Sequence, residues 1–302
     1  MRPVDLILVN PSLDWKIEQR NILARRVNPD IPNQESPHIG IAYLIAAAKL
    51  KGLNVEYIDM VADKIAPETL VRIVGEKKPV LVGFTAYTVQ INAAAVIAEA
   101  IKNHDSEIMI CIGGSHATAD PGGTLKDFQA FDFIILGEGE DALINALEKI
   151  LNKEPLPAKK GIVTRDLNPE HTAWDPIKNL DDLPYPAWEA FDLKKYGGVY
   201  PHRTPLELPV VSSRGCPFKC IFCCRTLGSH TRRRSVESVI GEIWLNIERY
   251  NCTSIAFLDS TFVVDSNWTE TFCSTVIRQK LDKKISWSCE TRVDSVSPGL
   301  LK

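Results

Sequence analysis

"LPVVSSRGCPFKCIFCC", residues 208–224, sets an apolar run directly against a loop dense in cysteine. Leu208 to Ser212 reads as a buried strand, so the thiols beyond it stand at its C-terminal edge. Cys216, Cys220 and Cys223 fall at C-x-x-x-C-x-x-C spacing. Soft thiolates so close together suit an iron–sulfur cluster. A fully ligated cluster needs four protein ligands and this loop supplies three, which leaves one iron open to a small molecule. The competing reading, a zinc site, uses paired C-x-x-C arms, and no second pair exists here. Cys224 directly follows Cys223 and reads as a packing residue. Cys111, Cys252, Cys273 and Cys289 lie in apolar contexts, where free cysteine behaves as a small hydrophobe.

The cysteine spacing resembles the radical S-adenosylmethionine (SAM) superfamily, in which SAM chelates the open iron through its amino and carboxylate groups. The residues beyond the cysteine loop read as the opening of a β/α barrel: a helix in "SVESVIGEIWLNIERY" with Ser235 as N-cap, a strand in "TSIAFLDSTFVVD", a helix in "NWTETFCSTVIRQKLD" and a strand in "ISWSCETRVDSV". The resemblance places Phe222, Asp259, Glu290 and Arg292 where the family contacts SAM. The family's short acidic motif for the SAM amine has no clear counterpart, and Asp259 stands as its substitute. Arg232, Arg233 and Arg234 read as a solvated charge run at a helix start, although one could pair with a carboxylate or phosphate. After about three of six barrel units the chain stops at "SPGLLK", so a fragment of a longer enzyme is expected.

Composition excludes several alternatives. The chain has 302 residues, 45% of them hydrophobic, and a formal charge of −3, which gives no reason to expect nucleic acid. No apolar run approaches the roughly 20 residues of a membrane span. "MRPVDLILVNPS" enters a strand at once, leaving no room for a targeting segment, and a cytoplasmic location is expected.

Residues 1–152 alternate apolar runs with helical patterns. Strands read as "DLILVN", "VEYID", "VLVGFTAYT", "IMICIGG" and "FDFIILGEGE" (Phe131 to Glu140). The alternation predicts an α/β domain with a Rossmann-like, doubly wound parallel sheet whose C-terminal edge binds a ligand. That edge carries Asn10, Pro11, Thr85, Ala86, Tyr87, Gly113, Gly114, Ser115, His116, Ala117, Gly137, Glu138, Gly139 and Glu140. A nicotinamide or flavin domain is disfavoured, because no G-x-G-x-x-G follows the first strand. "PHIGIAYLIAAAKLKG", "GGSHATADP" and "GEGEDAL" together resemble the cobalamin-binding domain fused to many radical SAM enzymes. The resemblance implies that the edge residues above contact cobalamin. Many cobalamin domains bind cobalt through the histidine of D-x-H-x-x-G, and none of His38, His104, His116, His171, His202 or His230 has that context. His116 reads either as a loop histidine bonded to backbone or as a contact to the corrin side chains.

Residues 153–207 read as a proline-rich connector with Pro155, Pro157, Pro169, Pro176, Pro184, Pro186, Pro201 and Pro205, too many for long helices. "GIVTRD" reads as one strand of a small hairpin, and Trp174, Tyr185, Trp188, Phe191 and Tyr196 as packing aromatics. Residues 208–302 then form the first part of the barrel. The resemblance implies three cofactors: a 4Fe-4S cluster, SAM and cobalamin. It also implies a small-molecule substrate, an electron donor such as flavodoxin or ferredoxin, and reductive SAM cleavage to a 5′-deoxyadenosyl radical. Methyl transfer is the leading activity, with oxidative cyclisation or rearrangement, or a non-catalytic cobalamin carrier, as alternatives. Methylthiolation would need N-terminal cysteines for a second cluster, and only Cys111 precedes Cys216.

Overall fold

The computed structural model describes residues 3–12, 36–157, 160–166, 173–197 and 206–300. They fall into two compact units. Pro169, Pro201, Pro205, His171 and His202 lie outside the described residues.

The first unit is built on a six-stranded sheet. Its strands are β1 (Leu6–Asn10), β2 (Val55–Asp59), β3 (Leu81–Thr85), β4 (Met109–Gly113), β5 (Phe133–Ile135) and β6 (Ile162–Thr164), in the order β2-β1-β3-β4-β5-β6. The first five are parallel, and β6 runs antiparallel to β5 with Ile135 opposite Ile162. Leu6 to Val9 are all buried, as a strand covered by helices on both faces requires. The covering helices are α1 (Ile39–Leu50), α2 (Pro67–Lys77), α3 (Ile91–His104) and α6 (Gly139–Leu151), with two short ones, α4 (Ser115–Ala119) and α5 (Pro121–Asp127), between β4 and β5. In α1 the apolar residues face all round, with Ile41 to Tyr43 and Ile45 to Ala48 buried, whereas α2 buries only Leu70 and Val74. Strand order reverses between β1 and β3, which is where doubly wound sheets open a ligand crevice.

Three details differ from the sequence reading. The last parallel strand ends at Ile135, and Gly139 and Glu140 open α6, where carboxylates in the first turn oppose the positive end of the helix dipole. "GIVTRD" forms no hairpin of its own; its strand extends the main sheet beside β5. His116 sits in the single turn of α4 rather than in an open loop.

The connector divides between the units: Pro186–Phe191 belongs to the first, Ile177–Tyr185 to the second. Trp188 is buried edge-on to Phe191, whose ring lies 4.6 Å from that of Tyr57.

In the second unit β7 (Glu207–Val210), β10 (Ser254–Phe257) and β11 (Ser286–Cys289) form a parallel sheet in the order β11-β10-β7. A short antiparallel ladder pairs β8 (Ser213–Arg214) with β9 (Arg232–Arg233). Between β9 and β10 runs α7 (Val236–Tyr250), capped by Ser235, whose hydroxyl accepts from the Ser238 N–H; losing such a cap costs about 1 kcal/mol. Between β10 and β11 runs α8 (Ser266–Arg278), capped in the same way by Asp265. Phe257, Phe262, Trp268, Phe272 and Trp287 pack into one aromatic cluster beneath these helices, with the Trp268 and Phe272 rings stacked 5.4 Å apart. Among the described residues no helix is long and apolar enough to cross a membrane.

Candidate cofactor sites

At the C-terminal edge of the first sheet, a polar network fastens the strand ends. The Gln90 amide is buried: its Nε2 donates to Asn10 Oδ1 (3.1 Å) and Pro11 O (2.9 Å), and its Oε1 accepts from the Tyr87 N–H. Asn10 Nδ2 in turn donates to Asp59 Oδ1 at 3.0 Å, and the Tyr57 hydroxyl donates to Asp59 Oδ2 at 2.8 Å. Asn10 is thereby committed to holding β1, β2 and the β3 loop in register. Beyond it, Tyr87 and Val89 stand 59% and 44% exposed.

The β4 side is fixed by backbone. Gly114 has φ +91°, and a Cβ there would come within 2.8 Å of Thr85 Oγ1 and 2.9 Å of Ala86 N, so this turn requires glycine. The N–H of His116 donates to Ala86 O, and its Nδ1 lies 3.1 Å from Thr88 Oγ1. Ser115 begins α4, and Ala117 is buried within it. The Gly137 N–H donates to Thr118 Oγ1, and its bare Cα lies against the Trp174 ring, where a Cβ would approach to 2.3 Å. Glu138 and Glu140 are buried, and Gly139 lies under Leu44.

In the second unit, β7, β10 and β11 all end on one edge, which gathers the cysteine loop, Asp259, Glu290 and Arg292. Gly215 has φ +86° and crosses the returning chain so closely that a Cβ would lie 2.2 Å from His230 O. The Cys216 N–H donates to Gly228 O and closes the loop at its base, while the Cys223 N–H donates to Cys220 O within it. Cys216 and Cys220 are half-buried, and Cys223 and Cys224 are exposed. Ile221 and Phe222 project fully into solvent. Among the described residues no group of three His, Cys, Asp or Glu side chains is already drawn together as around a metal ion. The donor set itself, three thiols on one closed loop, is of the type that holds iron–sulfur clusters.

The remaining cysteines are of a different kind. Burial pushes the Cys252 and Cys289 thiols up to about 11 and also raises Cys111 and Cys273. They remain protonated and apolar in character.

Asp259 is occupied internally. Its carboxylate accepts from the Ser212 N–H (3.1 Å), the Ser212 hydroxyl (2.7 Å) and the Ser213 hydroxyl, and it is buried. Burial raises its pKa above the ordinary value, an effect partly offset by the serine donors and Arg233. The arginine run is not a solvated face. β9 pairs it against β8, so Arg234 is buried against Glu242, Arg233 Nη2 donates to Phe262 O at 2.8 Å with its guanidinium over Trp268, and Arg232 Nη1 donates to Ile177 O. Glu290 is exposed, and its carbonyl accepts from the Phe262 N–H. Arg292 donates to Cys220 Sγ at 3.1 Å.

A B12 binding domain matches residues 32–147. An uncharacterized methyltransferase of Pyrococcus horikoshii is 30% identical over the whole chain, which covers 63% of that relative. The chain thus carries a B12 binding domain and is similar to cobalamin-binding radical SAM enzymes. An anaerobic magnesium-protoporphyrin IX monomethyl ester cyclase of Cereibacter sphaeroides is 28% identical across 86% of the chain and 43% of its own length. The cobalamin-dependent SAM radical enzyme OxsB, solved with aqua-cobalamin and SAM, superposes with a TM-score of 0.75 at 20% identity over 99% of the chain and 40% of that structure. This likeness shows a shared fold. The chain thus spans less than two thirds of the length of these curated relatives.

Within this fold, reading the sequence missed Gln90, Thr88, Thr118 and the packing of Trp174 on Gly137. Each meets its partner only through the fold: Gln90 and Asn10 are 80 positions apart.

Proposed function

We propose that this chain carries the cofactor-binding part of a cobalamin-dependent radical SAM enzyme that methylates an unactivated carbon or phosphorus centre of a small-molecule substrate. The observation that carries this reading is the closed Cys216–Cys223 loop at the edge where β7, β10 and β11 end, in a chain with a B12-binding domain. The methyltransferase of Pyrococcus horikoshii supports the choice of methyl transfer.

Cys216, Cys220 and Cys223 would hold a 4Fe-4S cluster as thiolates. Gly215 keeps the base of their loop closed, and Ile221 and Phe222 would shield bound SAM from water. The exposed Glu290 carboxylate is suited to the SAM amine, while Asp259 holds the Ser212–Ser213 turn beneath. In the first unit, the strand ends at Gly113 and Thr85 lead into turns that also carry exposed Tyr87 and Val89, an edge suited to a broad ring with apolar faces and amide arms. When bound, cluster and SAM supply one-electron chemistry and cobalamin a transferable methyl group. A flavodoxin- or ferredoxin-type protein would supply the electron.

The test is anaerobic reconstitution with iron, sulfide and hydroxocobalamin, followed by dithionite and SAM. Release of 5′-deoxyadenosine or methylation of cobalamin supports the reading. A chain that binds cobalamin but no cluster contradicts it and leaves a carrier. The match to the magnesium-protoporphyrin ester cyclase favours a second reading, oxidative cyclisation. Methyl-labelled SAM separates the two, because a cyclase leaves the label in methionine.

A further inference from the structure

Three contacts fix the Arg292 guanidinium. Its Cζ lies over the Phe218 ring, 4.2 Å from the centroid. Asp294 accepts from Nε at 2.9 Å and from Nη2 through its second oxygen. The remaining arm, Nη1, reaches Cys220 Sγ at 3.1 Å. Phe218 and Cys220 belong to one loop, whereas Arg292 and Asp294 follow β11, 72 positions beyond Cys220 in the case of Arg292. A planar fork held by a ring face and a carboxylate keeps one Nη1 N–H aimed at the sulfur.

We propose that Arg292 is a positioning residue that orients Cys220 and, through the N–H to sulfur bond, raises the reduction potential of the iron–sulfur cluster. This rests on the reading that Cys220 is a cluster ligand. Reduction transfers one electron from the donor to the cluster, with no covalent bond made or broken, and adds one negative charge beside the sulfur. A donor from a group that stays cationic favours the more negative state, and hydrogen bonds to sulfur are among the factors that set such potentials. Arg292 is partly exposed, so solvent keeps the effect moderate.

The experiment compares reconstituted wild type, Arg292→Ala, Arg292→Lys and Cys220→Ala. Iron and sulfide are assayed first, and the reduced cluster is then titrated by electron paramagnetic resonance against dithionite and mediators. Arg292→Ala is expected to keep its iron but to show about a tenfold lower reduced-to-oxidised ratio at fixed potential, about 59 mV for one electron. Arg292→Lys, with charge but no fork, should shift in the same direction by less. An iron-loaded Arg292→Ala with the wild-type potential overturns the inference. If that variant loses its cluster, a wild-type potential in Arg292→Lys overturns it instead. Wild type without a cluster, or Cys220→Ala with an unaltered one, defeats the underlying ligand reading.

Discussion

Ser212 donates twice to the Asp259 carboxylate, from its backbone N–H at 3.1 Å and its hydroxyl at 2.7 Å. These bonds join the residues just past β7 and β10 and so set where the cysteine loop departs. Replacing Asp259 with alanine leaves the donors of Ser212 and Ser213 without their acceptor and removes the negative charge near Arg233. Unfolding in urea should show a loss of about 1–3 kcal/mol, the usual cost of stranding buried donors.

The same carboxyl predicts a pH dependence. Burial raises the folded pKa of Asp259 above the ordinary 3.8. The folded chain therefore holds this proton more tightly than the unfolded one. Its contribution is fully present below 3.8 and is lost as pH rises through the raised value. Asp259→Asn cannot titrate, so its stability should decline less steeply than wild type as pH rises above 3.8. Parallel slopes for the two proteins would show that Asp259 has an unshifted pKa.

Gly215 and Gly228 make a matched pair. Both have positive φ, +86° and +91°, but a Cβ at 215 would meet His230 O at 2.2 Å, whereas a Cβ at 228 meets nothing within 4 Å. Gly228→Ala should cost only about 1 kcal/mol of backbone strain. Gly215→Ala must also move the backbone, so its thermal midpoint and its iron content after reconstitution should both fall well below those of Gly228→Ala. Equal behaviour would mean that the crossing at His230 is dispensable.

At the other edge, Gln90→Ala removes a buried amide that satisfies Asn10, Pro11 and the Tyr87 N–H. The expected cost is about 1–3 kcal/mol, together with weaker cobalamin uptake as the β1 and β3 ends loosen. Absorbance titration with hydroxocobalamin measures the second effect. Unchanged uptake in a destabilised variant would place the ligand away from this crevice.

How far the sequence is legible depends on the distance between partners. Strands such as Leu6–Asn10 and the cysteine loop are local patterns, readable because period and spacing are contained in a few residues. The arginine run reads as solvated from sequence because its burial comes from the β8–β9 ladder, which pairs Ser213 with Arg233. Arg165 carries no local signal at all. Its guanidinium donates to the carbonyls of Leu125, Phe128, Gln129 and Phe131, up to 40 positions away, and closes the turn after α5. Asp259 likewise gives no local sign that its oxygens accept from Ser212 and Ser213, 47 and 46 positions earlier.

The central claim is that Cys216, Cys220 and Cys223 hold one cluster and that Cys224 does not take part. Anaerobic iron and sulfide analysis of reconstituted wild type, the triple alanine variant of those three cysteines, and Cys224→Ala tests it most directly. About four irons per chain are expected in wild type and in Cys224→Ala, and none in the triple variant. A triple variant that keeps its cluster, or a Cys224→Ala chain that loses it, would contradict the account.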